Sequence, residues 1–147
     1  MASTVTASTM TVTISESITL NGKNQGGTQT LSIPSVAEVS KRIMTCLTSE
    51  VTLISFGAAV APGTFIDSDV RYVRITNLDD TNFVTLNVEG ESTTDFSIRL
   101  DAGASYIMAG SFVDHIDTGA ATLENVTAIK GTANTAVCDL EVVVASV

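Results

Sequence analysis

The chain reads as an all-β protein, a β-sandwich of jelly-roll or immunoglobulin-like type with roughly nine or ten short strands. Three observations predict this. Apolar and polar residues alternate at period two in one segment after another, as in Phe96-Ser97-Ile98-Arg99-Leu100. Gly, Asn, Asp and Pro punctuate those segments at about the 8–12 residue spacing of sandwiches and barrels. Ser and Thr supply about a quarter of the 147 residues. Thr, like Val, is stiff at χ1 and suits a pleated sheet better than a helix. A chain of this size can bury about 70% of its unfolded surface. Residues 1–147 are therefore read as a single sandwich domain, with residues 1–9 either an extended N-terminal arm or a frayed end.

Met10, Val12 and Ile14 alternate with Thr9, Thr11, Thr13 and Ser15, a strand that continues towards Ile18 and Leu20 after a kink near Glu16. Asn21-Gly22 and Gly26-Gly27 make the next stretch a loop or wide turn, because both pairs supply positive φ cheaply. It lacks the Gly-Lys-Ser/Thr ending of a phosphate cradle. A short strand, Thr30–Ile33, leads to Pro34. The following segment stays open. Ser35-Val36-Ala37-Glu38 reads as a capping box, and Val36, Val39, Ile43 and Leu47 fall at helical spacings, which allows a short helix near 35–40. Val39, Ile43, Thr45 and Leu47 also share one strand face, which favours a turn at 34–38 and a hairpin over 39–56.

Residues 57–69 form a loop with a short strand at Thr64–Ile66. The most regular pattern follows. Val73 and Ile75, then Val84, Leu86 and Val88, flank the turn-rich Asn77-Leu78-Asp79-Asp80-Thr81-Asn82. This predicts a central hairpin over 71–88. Strands are further expected at Phe96–Leu100, Ser105–Met108, Phe112–Ile116, Ala121–Ile129 and Ala136–Ala145, with Lys130–Thr135 as the last turn.

Seven basic against sixteen acidic residues give a net charge of −9. Nucleic acids and anionic membrane surfaces are poor partners for such a chain, since both are bound through Lys and Arg. The first ten residues lack a basic region and an apolar core, so they do not read as a signal peptide. No apolar run approaches the roughly 20 residues of a membrane helix. Folding in a cytoplasm is expected, which makes Cys46 and Cys138 buried free thiols and Asn125-Val126-Thr127 a chance sequon.

No residue pattern encodes a reaction. The one histidine, in Asp114-His115-Ile116-Asp117, has its neighbouring carboxylate on the opposite face of a strand, and no Gly-x-Ser-x-Gly elbow is present. Asp67-Ser68-Asp69 and Asp79-Asp80 have Ca²⁺-compatible side chains but read more simply as turn residues. No catalytic residue, cofactor or metal is expected. Arg71, Arg74 and Arg99 cluster around the central segment of a cation-poor chain, and Arg is favoured at interfaces. Phe83 is out of phase with Val84, Leu86 and Val88. These four residues are the candidate interface.

Several segments together resemble small virion structural proteins of tailed phages, especially those of marine and cyanobacterial hosts. They are Ile18-Thr19-Leu20-Asn21-Gly22, Lys41-Arg42-Ile43, Tyr72-Val73-Arg74-Ile75-Thr76-Asn77 and Phe96 through Tyr106. The resemblance covers most of residues 14–110. It implies a non-enzymatic β-sandwich present in many copies in the virion. The first expectation is a decoration (cement) protein bound to the major capsid protein, as a homo-oligomer, with trimers common among such proteins. A tail or neck protein is the alternative within the same likeness. A carbohydrate- or receptor-binding module is the alternative outside it, disfavoured by the absence of Trp.

Overall fold

The computed structural model of the protein describes residues 4–92, 95–110, 112–113 (backbone only) and 123–147. Among them lie fourteen strands and no helix, so the protein is all-β. Two compact units are distinguished: the chain up to Glu38 together with Val147, and Val39–Ser146.

The first unit holds β1 (Ser8–Ser15), β2 (Thr19–Leu20), β3 (Lys23–Asn24) and β4 (Thr28–Val36). β1 and β4 pair antiparallel as a two-stranded ribbon, and β2 and β3 form a small hairpin. The hairpin turn is tight because Asn21 and Gly22 both adopt positive φ (51° and 75°), the combination that matches strand twist. In the ribbon, Met10 opposes Ile33 and Val12 opposes Leu31, while Thr11 opposes Ser32 and Thr13 opposes Thr30. Directly opposed residues share a face, so one side of the ribbon is aliphatic and the other is lined with hydroxyls. The register slips between the Ser8–Val36 and Met10–Ile33 pairs. Pro34, which has no N–H for the ladder, and Ser35, at φ 61°, occupy the slip.

The second unit holds β5 (Glu38–Cys46), β6 (Val51–Gly57), β7 (Thr64–Ile66), β8 (Val70–Asn77), β9 (Val84–Gly90), β10 (Asp95–Leu100), β11 (Ser105–Met108), β12 (Phe112–Val113), β13 (Glu124–Ala133) and β14 (Cys138–Ser146). One sheet runs β10-β9-β13-β6-β7, with β12 also on β13; the other runs β11-β8-β14-β5. Val73, Ile75, Leu140, Val142 and Val144 from the second sheet meet Leu53, Ile54, Val84, Leu86, Val88 and Ile129 from the first in one buried core. The arrangement is sandwich-like. Gly131 lets the sheets close there, since a Cβ on it would lie 2.9 Å from Leu53 Cδ1 and 3.0 Å from Cys46 Sγ. Cys46 and Cys138 are free and buried, and burial pushes both thiols above their ordinary pKa.

Three expectations change. There is no helix near 35–40: β4 and β5 occupy that stretch, separated only by Ala37. The strands exceed nine or ten, with the Asn21-Gly22 turn building its own hairpin, and β13 runs on to Ala133, which leaves the last turn at 134–137. Residues 39–56 and 71–88 are not hairpins. β5 and β8 lie in the four-stranded sheet, and β6 and β9 in the other, so both connections cross between sheets. On β5, Met44 and Cys46 point to the core, while Val39 and Ile43 are exposed.

Candidate functional site

The four interface candidates separate into three places. Arg71 lies at a register slip of β8 against β14, which turns it out of the sheet. It is exposed, and its guanidinium donates to the carbonyls of Ser68 (2.6 Å) and Val70 (3.1 Å). Arg74 is engaged across strands with Glu141 of β14 and donates to Thr76 Oγ1 at 2.6 Å. Lys41 of β5 reaches the other Glu141 oxygen at 3.1 Å. Held first by Arg74 and then by Lys41, the Glu141 carboxyl titrates below the usual carboxylate range. This is a network that ties three strands, and it leaves Arg74 little freedom to engage a partner.

Phe83 and Arg99 do come together. The Arg99 guanidinium stacks 4.0 Å above the half-buried Phe83 ring, and its Nε donates to Asp101 at 2.6 Å. With Arg99 63% exposed, the pair forms a planar, cationic surface feature at the β10 edge of its sheet.

A third feature was not anticipated. Ile43, Leu78, Asp79, Asp80, Val137 and Asp139 line an open groove of about 390 Å³ within the second unit. Ile43 is 66% exposed, and Leu78 and Val137 are exposed as well. Part of the signal was present in the sequence, because Leu78 is an apolar residue inside a turn segment, where no packing demands it; Val137 gave none, since it falls within the strand expected at Ala136–Ala145. The groove's carboxylates already have local partners. Asp79 accepts from the backbone N–H groups of Asn82 (2.5 Å) and Thr81 (2.8 Å), which hold it below its ordinary pKa. Asp139 accepts from Thr45 Oγ1 at 3.0 Å. Asp67 and Asp69 likewise bond Ser68. Among the described residues no group of three or more His, Cys, Asp or Glu is placed to hold a metal ion. His115 and its neighbours Asp114 and Asp117 lie outside the described residues.

The first unit offers a surface of another kind. Ile14 and Leu31 on the aliphatic side of the ribbon are exposed, and Met10 and Val12 are half-exposed. From Val5 to Ser15 no residue carries a charge. No protein-family model matches the chain, and no curated protein or solved structure matches it.

Proposed function

We propose that this protein is a non-enzymatic structural component of a tailed-phage virion, working through protein–protein contacts as a decoration protein on the capsid lattice. The β1–β4 ribbon is the observation that carries the reading. The sandwich unit has a core of its own, whereas the ribbon is a two-stranded sheet with aliphatic side chains left in solvent. A two-stranded sheet alone is marginally stable in water. An exposed apolar stripe on such a ribbon is therefore best accounted for as a contact surface. The segments that resemble virion proteins, from Ile18-Thr19-Leu20-Asn21-Gly22 onwards, support the same reading.

The chemistry of the second unit fits. Several charged side chains on it pair internally, such as Lys130 with Glu89 (2.7 Å) and Glu50 (3.3 Å). The groove residues are aliphatic and acidic, with no ring on which a sugar could stack. A net charge of −9 keeps free copies apart and disfavours packaged DNA as the ligand. The partners are then the major capsid protein and further copies of this chain. The protein is made in the host cytoplasm and resides in the virion.

Copy number per purified particle tests the reading. Hundreds of copies are expected; a few to a few dozen would place the chain in a tail or neck. Particles that lack the protein yet keep their thermal and osmotic stability and their tails would overturn the structural role. A hydrolase activity lost in His115→Ala would overturn the non-enzymatic one.

A further inference from the structure

We propose that β1 pairs edge to edge with β1 of a second copy, antiparallel about a twofold axis through Val12. The inference rests on the assembly reading above and names the first partner: this same chain. The two-stranded sheet leaves β1 with strand β4 on one side and, among the described residues, no strand on the other. Proteins normally protect such an edge with charge, proline or a bulge. β4 has Pro34 and the register slip, and β5 has Glu38, Lys41 and Arg42, but Ser8–Ser15 has no charge and no proline. In a chain of net charge −9, an uncharged edge is where two copies can approach without bringing carboxylates together.

The sequence of β1 also specifies a register. Antiparallel self-pairing centred on Val12 sets Val12 against Val12, Met10 against Ile14 and Thr11 against Thr13. Aliphatic then meets aliphatic on one face and hydroxyl meets hydroxyl on the other. A slip of one residue would put every aliphatic side chain opposite a hydroxyl-bearing one, and such registers are strongly disfavoured. The product is a four-stranded sheet, β4-β1-β1-β4, whose central aliphatic row runs unbroken from Leu31 of one copy through both Val12 side chains to Leu31 of the other. Three or more strands with an apolar face are what independent sheet stability requires.

Analytical ultracentrifugation of the full-length chain, combined with cysteine cross-linking, tests the pairing. The wild-type chain should sediment at twice its chain mass, or a multiple of it, and Val12→Lys, which sets two ammonium groups face to face, should halve that mass. Should Val12→Lys simply unfold the ribbon, cross-linking still decides. Under mild oxidation Val12→Cys should give a covalent dimer, because directly opposed Cα atoms lie within the ~4.4–6.8 Å a disulfide spans. Thr11→Cys alone should not, since its own copy across the axis is offset beyond about 7 Å, whereas Thr11→Cys with Thr13→Cys should. The buried Cys46 and Cys138 do not compete. A monomeric wild type, or equal cross-linking of Val12→Cys and Thr11→Cys, overturns the pairing. Incorporation into particles separates the two readings. A chain that enters particles without cross-linking leaves the virion role standing and defeats the pairing; one that cross-links but never enters particles does the reverse.

Discussion

Asn77 has no exposed surface, and its side chain is fully engaged. Its Nδ2 donates to the carbonyls of Asn82 (2.8 Å) and Leu100 (3.2 Å), and its Oδ1 accepts from Asp79 N at 3.0 Å. One side chain thus ties the 78–83 crossing to the end of β10. Asn77→Ala strands those buried groups and is expected to cost about 2 kcal/mol in urea denaturation, with Asp79→Ala milder because its site is solvent-accessible. Asp79 and Glu141 share a pH signature. Both carboxyls are held below their ordinary values, so each stabilises the fold fully above its unfolded pKa and progressively less as pH falls through the folded one. Thermal melts should therefore show the melting temperature falling as pH drops below about 4.5. The fall should be shallower in the Asp79→Asn, Glu141→Gln double variant. A slope unchanged by those substitutions would remove both residues from the account. The turn chemistry of 77–82 was legible in the sequence. The role of Asn77 was not, because one asparagine among several turn residues carries no mark of burial.

At the scale of the element, period-two alternation located most strands, and β7 and β11 match at both ends. It says which face a residue takes and is silent on which strand lies alongside. Val73 and Ile75 share the core with Val84, Leu86 and Val88, yet they face one another from opposite sheets rather than side by side as a hairpin would set them. In β5 even the face was ambiguous, because aliphatic residues fall on both parities. Cys46 and Met44, the less conspicuous set, are the ones that pack. Of the interface candidates, Phe83 with Arg99 forms a surface feature. Arg74 is paired within the fold, and the groove around Ile43 draws on segments that read as strand or turn. The ribbon allows an element-specific test. A Cβ at Gly26 would lie 2.1 Å from the Glu16 carbonyl oxygen, with backbone rather than a flexible side chain in the way. Gly26→Ala should disrupt the β3–β4 junction and the nearby Glu16 N to Gly27 O bond (2.8 Å). Hydrogen exchange is expected to quicken across 8–36 and to stay slow in β8, β9, β13 and β14; uniform acceleration would mean that the first unit is not a separate element.

For the whole molecule, the acidic balance and the all-β class were readable from composition, because both are sums over the chain. The division into two sheets was not, since it depends on pairings between distant segments: β8 pairs with β14, matching Asn77 with Leu140, and β9 with β13, matching Val84 with Ala133. The crossing from β8 to β9 has a consequence in time. A hairpin there could have closed locally within microseconds. Instead, consecutive strands are sent to opposite sheets, and each completes its pairing only with a strand late in the unit, β8 with β14 and β9 with β13. Among the described residues of this unit, the long antiparallel neighbours in sequence are β9 and β10, from Val84 to Leu100. Folding should consequently be slow for the size, on the order of milliseconds to seconds. Stopped-flow refolding is expected to show Leu86→Ala slowing the folding limb and Val142→Ala mainly quickening unfolding. β14, set between β8 and β5, then fixes the moment at which the four-stranded sheet is complete.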